Sequence, residues 1–493
     1  MQYNISINQA GVAIFVLLNL VVGMWAGRRV KTMGDYALAN QSLGSGTLTM
    51  TLIATFIECS YIMAIHTGYK MGLLNLLFPA VGVIIAMLVL GWYIYPRLRS
   101  FKEAYTMGDV MGQCYGPKAR LITAIITVLF CIVIVSNQLI GISHIVKYIG
   151  INPLWGVILI GSIITLYTFT GGVRSVAATD VLQFIILAVG VVAVVNTGVR
   201  SEQIGGISKL IKTVYQEYPS YIYFWQHDFF SYQILATFFW GLWPTLLVSP
   251  PIIQRALMTR KKEELAPAFT SLAIFYFLFR FMIFILGIMV LKVVHEGGEG
   301  PSLSNVIDFL FERILDNQFV SLCFILAFIS VVMSTADSYL NSTVVTIQHD
   351  LVSRYLASKK QEDSSFMQST RIIALCLGII CIVIASYYLK TPTFYFTSFS
   401  LSMLSSLCLP FLAALLGLRT AEKTFLTYIF VFFVTLITAM LLDIYAGISL
   451  HTSLIPVPEH LRIVGIATNS WVIATTLSSA TFFLLRSFEQ KHT

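Results

Sequence analysis

The chain has 493 residues, 57% of them hydrophobic and only 11% charged, with a mean hydropathy of +0.82. A soluble domain carries about 25% charged residues, so a soluble enzyme, a disordered scaffold and a secreted disulfide framework are excluded and a polytopic, all-α membrane protein remains. The net charge of +8 comes from 31 Lys and Arg against 23 Asp and Glu, scattered between apolar segments rather than clustered as nucleic-acid binding requires. Seven Cys lie singly with no CxxC pair, which points away from a zinc site or disulfide framework.

The N-terminal stretch lacks the basic region and small-residue cleavage site of a signal peptide, so the first apolar run is expected to stay as an anchor. A helix needs about 20 apolar residues to cross a bilayer. Thirteen candidate spans follow in order: 9–27, 45–68, 73–96, 119–147, 152–170, 176–199, 232–257, 267–292, 318–347, 371–389, 393–418, 424–445 and 463–485. They are too long for barrel strands, and helices satisfy their backbone groups internally. The longest polar connections are 200–231 and 293–317. The first, rich in aromatics from Tyr215 to Trp225, suits a short interfacial helix. The second reads as a Gly-rich turn, an N-cap at Ser302 or Ser304 and a short amphipathic helix. Loops on one side hold 21 of the 31 basic residues, Arg120, Arg174 and Arg255 among them; the other side holds nine, including Lys292. The positive-inside rule then places the N-terminus outside and the C-terminus in the cytoplasm, as thirteen crossings require.

Ionisable groups deep in a span cost about 2.5–3.5 kcal/mol on insertion scales, so they face a cavity, a partner or an ion. The second span carries Glu58 among Thr51, Thr55, Cys59 and Ser60. One reading is an unwound helix whose carbonyls at Ala54 and Ile57 face a cation or solute; the other is a packing face with Glu58 protonated or paired. In the ninth span, Ser334, Asp337, Ser338 and Asn341 fall at i, i+3, i+4 and i+7, which puts one carboxylate and several oxygens on one helical face. Oxygens of this kind suit Na⁺ better than a transition metal; small polar residues also bond between helices.

Gly171-Gly172 ends the fifth span, Arg174 marks a surface, and Asp180 enters the sixth span about one turn deep, either as a functional acid or as a first-turn acid. Arg280, mid-span among aromatics, either snorkels, pairs with Glu58 or holds an anionic group of a solute. Phe238, Phe239, Trp240 and Trp243, with Pro244, interrupt the seventh span and either shape a pocket or pack; Asn137, Gln138 and Gln233 are further polar candidates. Walker A, HExxH and GxSxG patterns are absent, so an ATP-driven pump or an enzyme is not expected.

The string TFTGGVRSVAATDVLQF resembles the segment that marks sodium/solute symporters, the family of sodium/proline, sodium/sialic acid and sodium/glucose carriers. GRRVKTMGDYALANQSLGSGTLTMTLIATFI, PPIIQRALMTRKKEE with its Gln254-Arg255 pair, and VVMSTADSYLNS are similar to further family segments in the same order. The resemblance implies a LeuT-type core of two inverted five-helix repeats: a leading helix 9–27, a first repeat 45–199, a second repeat 232–418 and two trailing helices over 424–485. It implies a main sodium site from the backbone carbonyls of Ala54 and Ile57 with Val331, Ser334 and Thr335. A second site, for sodium or a proton, maps onto Asp180, Asp337 and Ser338, with Ser334 alongside. Asp337 stands where the sialic acid carriers have a hydroxyl.

Substrate contacts fall on Glu58, Cys59, Asn137, Gln138, Trp240 and Arg280. The expected function is sodium-coupled import of a small polar solute by alternating access, with an amino acid or amine ahead of a sugar or carboxylate. A proton-coupled carrier of the same fold is the alternative. Lipid and a small solute are the expected partners, with no nucleic acid and no obligatory protein.

Overall fold

The computed structural model describes residues 6–58, 60–101, 103–223, 225, 244–295, 300–301, 306–314, 317–356, 363–389, 401–445 and 462–492. Helix α1 (Ile7–Gly27) starts at a capping box: Gln9 N donates to Ser6 Oγ at 3.2 Å and Ser6 N to Gln9 Oε1 at 3.1 Å. Then come α2 (Met33–Leu38), α3 (Ser45–Phe56), α4 (Ser60–Met71) and α5 (Leu73–Val89). These are followed by α6 (Met107–Tyr115), α7 (Pro117–Tyr148), α8 (Pro153–Arg200), α9 (Ile207–Glu217), α10 (Pro244–Leu247) and α11 (Pro250–Leu257). The rest of the chain forms α12 (Leu265–His295), α13 (Val306–Arg313), α14 (Gln318–Thr346), α15 (Asp363–Tyr387), α16 (Cys408–Leu415), α17 (Glu422–Tyr445) and α18 (Arg462–His492). A π-helical stretch, Ile347–Leu356, continues α14.

Among the described residues, eight helical stretches are long and apolar enough to cross a membrane. They are fewer than the thirteen expected for definite reasons. The second expected span is divided into α3 and α4, and the fifth and sixth run together in the 48-residue α8. The seventh and eleventh include residues outside the described set, and the thirteenth, which falls within α18, is not among the eight. At about 1.5 Å per residue α8 would be far longer than a bilayer is thick. Gly172 divides it: its φ of 50° and ψ of −134° leave the helical region, and a Cβ there would stand 2.5 Å from Tyr36 O.

Helix α14 lies at the centre, against α1, α3, α7, α8, α11 and α15. Every residue from 327 to 346 is buried, the signature of a helix enclosed on all sides. Its polar side chains must therefore find partners on the surrounding helices. Helix α1 crosses α8 closely because both contacting residues are glycines: a Cβ on Gly27 would stand 2.8 Å from Gly171 Cα. Ser175 Oγ donates to Gly23 O (2.6 Å) and Gln183 Nε2 to Asn19 Oδ1 (2.9 Å) across the same contact. Outward, α1 shows Ile14, Leu17, Val21 and Trp25, and α8 shows Trp155, Leu159, Val189 and Val192. Such wide apolar faces are those of a protein solvated by lipid. The expected amphipathic segments fall in α9, which buries Leu210 and Val214, and in α13; residues 302–305, with the expected N-cap, lie outside the described residues.

Three basic residues read as loop charges are buried. Arg120, Arg255 and Lys292 are at most 7% exposed. Arg255 follows two prolines and precedes Arg260, Lys261 and Lys262, so its local sequence looks like a surface loop. The fold instead turns α11 inward.

Candidate cation and solute site

The first oxygen cradle forms where α3 stops. Ile57 is extended (φ −82°, ψ 114°), and the helix resumes only at Ser60. The last carbonyls of a helix have no amide of a following turn to bond them, and here side chains of α14 supply the donors. Ser334 Oγ donates to Ala54 O at 2.7 Å and Thr335 Oγ1 to Ile57 O at 3.1 Å. Both hydroxyls also lie within bonding distance of Val331 O, at 3.1 and 3.0 Å. Ala54, Ile57, Val331, Ser334 and Thr335 thus converge as five neutral, hard oxygens at a helix break, a donor set suited to a hard monovalent cation.

One turn away lies a charged cluster. Asp180 of α8, Asp337 and Ser338 of α14 are brought together, and the fully buried Arg255 of α11 stands among them. Arg255 Nη2 is 3.1 Å from Asp180 Oδ2 and 2.6 Å from Ser338 Oγ, and Arg255 Nε is 3.3 Å from Thr51 Oγ1. Thr51 also donates to Asp180. Asp337 accepts from Tyr167 OH (2.7 Å), Ser338 Oγ (3.3 Å) and Thr179 Oγ1 (3.4 Å). Thr55 Oγ1 lies 3.0 Å from Ser338 Oγ and links the cluster back to α3. Reading the sequence by span did not find Arg255 or Tyr167 here; neither sits in a polar stripe of its own span.

Glu58 follows the break at Ile57. Its carboxylate lies 3.5 Å from Gln138 Nε2 of α7. It lines a small cavity, about 20 Å³, with Phe130, Ser249, Tyr339 and Leu401. A drug-sized ligand fills roughly 300–1,000 Å³, so admission of an organic solute requires these walls to part. A wider cavity of about 430 Å³ lies elsewhere, beside Gln41, Arg99 and Tyr105. Asn137 is buried next to Gln138 on α7. Arg280 is buried on α12, and the ion pairs among the described residues do not join it to Glu58. Cys59 and Trp240 lie outside the described residues, as does Gln233.

At the ends of the spans, Arg120 at the start of α7 bridges Asp109 of α6 (2.5 Å) and Asp350 of the π-helical stretch (2.7 Å). His349 Nε2 lies 3.0 Å from Asp109 Oδ2, and Thr106 Oγ1 donates to Asp350 at 2.7 Å. This network fastens the end of α14 to α6 and α7. Arg174 holds α2 through Asp35 (2.8 Å).

An enclosed polar helix, a neighbour broken at mid-length and carbonyls facing hydroxyls across the gap define a multi-pass membrane carrier. Comparison with known proteins gives the family. The profile described as Sodium:solute symporter family matches residues 36–423, and the chain belongs to that family. It is 21% identical over 385 residues to the osmoregulated proline transporter of Bacillus subtilis (strain 168), covering 76% of each chain. It is 22% identical over 401 residues to the sodium/glucose cotransporter of Vibrio parahaemolyticus, covering 76% of this chain and 73% of that one. Among solved structures, a substrate-bound, outward-open Na⁺-coupled sialic acid symporter matches with a TM-score of 0.78 at 17% identity, over 96% of this chain and 98% of that one. The fold is LeuT-like, and these relatives are transporters rather than enzymes.

Proposed function

We propose that the protein is a sodium-coupled symporter that imports a small organic solute carrying a positively charged nitrogen, an amino acid or amine. The observation that carries the reading is the convergence of Ala54 O and Ile57 O on Ser334 and Thr335. Sodium binding there ties α3 to α14 and stabilises the broken geometry that exposes Glu58. Solute then binds beside it, the helices carrying the break rock against the rest, and both cargoes are released. Sodium and solute must favour each other's binding by about 1–3 kcal/mol for this coupling. The charge asymmetry of the loops supports an outside N-terminus and a cytoplasmic C-terminus, still 19 to eight after the three buried cations are set aside. The division into a leading helix, repeats at 45–199 and 232–418 and two trailing helices is supported by the breaks near the starts of both repeats, at Ile57 and between α10 and α11.

The solute class rests on Glu58. A carboxylate in a pocket walled by Phe130 and Tyr339 favours an ammonium group, by charge and through the ring faces. Screening purified protein for sodium-dependent thermal stabilisation across amino acids, amines, sugars and organic acids tests the class; hits confined to sugars or organic acids overturn it. Glu58→Gln is expected to abolish uptake of the cationic solute while sodium still stabilises the protein. Uptake by Ser334→Ala and Thr335→Ala variants in proteoliposomes is expected to lose its sodium dependence. Unchanged sodium activation, or uptake driven by a pH gradient alone, refutes the sodium assignment.

A further inference from the structure

The pocket at Glu58 and the wide cavity beside Arg99 lie at two ends of one line of small gaps. We propose that the solute leaves Glu58 through a polar passage between α7, α11 and α14 into that cavity, and that Tyr105, lying on His349, is the side chain that shuts the passage. The inference rests on the reading that a solute bound at Glu58 is imported.

Three helices carry the line in the same order. On α14, Tyr339 walls the Glu58 pocket, while Ser342 and Thr346 wall a gap of about 10 Å³, room for about one water. Positions 339, 342 and 346 are three and four residues apart and share one face; His349 follows in the π-helical stretch. On α11 the order is Ile252, then Ile253 and Gln254, then Leu257 at the wide cavity. On α7 it is Phe130, then Thr127.

Among the described residues Tyr105 alone lines both the gap and the wide cavity. Its ring centre lies 4.8 Å from that of His349, and its amide donates to Asp109 Oδ2 at 2.8 Å. Both holders belong to the Arg120 network that fastens the end of α14 to α6 and α7, so the ring loses its support when those elements part. Thr127 Oγ1 is buried in the gap and bonds no group among the described residues. A buried hydroxyl left in that way points to water or a ligand as its partner. Beyond Tyr105 the cavity carries Arg99, Glu103 and Gln41, a mixed polar lining suited to a solute returning to water. Its volume of about 430 Å³ falls within the range of roughly 300–1,000 Å³ that small-molecule sites occupy. Arg99 lies on the side that the loop charges assign to the cytoplasm.

The test is the reaction of a cysteine placed in the gap, Thr127→Cys, with a charged, membrane-impermeant methanethiosulfonate. It is run in inside-out and right-side-out membrane vesicles and read at position 127 by mass spectrometry. In inside-out vesicles, whose outer face is cytoplasmic, Tyr105→Ala is expected to raise the rate about tenfold by removing the barrier, whereas Tyr105→Phe leaves it unchanged. A rate unchanged in Tyr105→Ala, or raised equally in Tyr105→Phe, overturns the proposal. So does a rise as large or larger in right-side-out vesicles. Should Tyr105→Ala fail to fold, His349→Ala decides, because it keeps the tyrosine and removes the ring beneath it. A faster reaction from the cytoplasmic face alone is expected, and an unchanged rate overturns the proposal. The reaction needs neither sodium nor solute; failure of the import reading would show instead as absent sodium-dependent uptake by the unaltered chain.

Discussion

A hydroxyl that serves an alkali ion must first give up the hydrogen bond it makes without one. Thr335 donates to Ile57 O at 3.1 Å, so its oxygen is useful to a cation only if the proton turns elsewhere, and Val331 O at 3.0 Å offers that alternative. Thr335→Ser keeps the oxygen and is expected to keep sodium affinity. Thr335→Val keeps the shape and loses the oxygen, and should raise the sodium concentration for half-maximal stabilisation about tenfold, the worth of one such bond. A second residue-scale prediction concerns Asp109, outside the spans. Burial alone would push its carboxyl up; the His349 hydrogen bond, Arg120 and the Tyr105 amide outweigh burial and hold it below the usual carboxylate range. A depressed value in the folded state stabilises above the ordinary carboxylate pKa of about 3.9, and the benefit is lost as pH falls through the lower folded value. Asp109→Asn is therefore expected to cost about 2 kcal/mol at neutral pH, with the melting-temperature gap to the unaltered chain closing only in strong acid.

At the scale of elements, the breaks matter more than the helices. Gly172 holds φ +50° inside α8 with Tyr36 O against its missing Cβ. Gly172→Ala should cost about 1–3 kcal/mol, read as a lower unfolding temperature of the solubilised protein. The break in α3 was legible from its run of small and polar residues ending at Glu58, and α14 from the spacing of its oxygens, because both signals are local. The grouping of Asp180, Asp337 and Ser338 came only through the family resemblance, and the place of Arg255 among them was not legible. The members of this cluster come from four helices far apart in sequence, and the prolines and Arg-Lys-Lys run around Arg255 carry a loop signature that tertiary packing overrides. Arg120 was misread for the same reason: its partners, Asp109 and Asp350, lie on other elements. Glu58 and Arg280 could be set down as an acid and a base on opposing bundles, but only geometry decides whether two such groups meet.

For the whole molecule, charge movement follows from the proposed cargoes. With one sodium per cycle, an amine as cargo carries two positive charges inward and a zwitterionic amino acid one, and each charge is driven by about 2.3 kcal/mol per 100 mV of potential. An inside-negative potential imposed on proteoliposomes should accelerate uptake, with a ratio of charge to solute close to two for an amine and close to one for a zwitterionic amino acid. Helix α14 packs directly against α7 and α8, so any shift at the first cradle has contacts through which to reach both.

The two hydroxyls and the carbonyls of the first cradle bond to one another, so, on the proposed reading, discharging the ion would strand no bare dipole in the hydrocarbon. The unloaded protein can swing back to collect fresh cargo at little energetic penalty, and turnover would then be paced by other steps of the round trip.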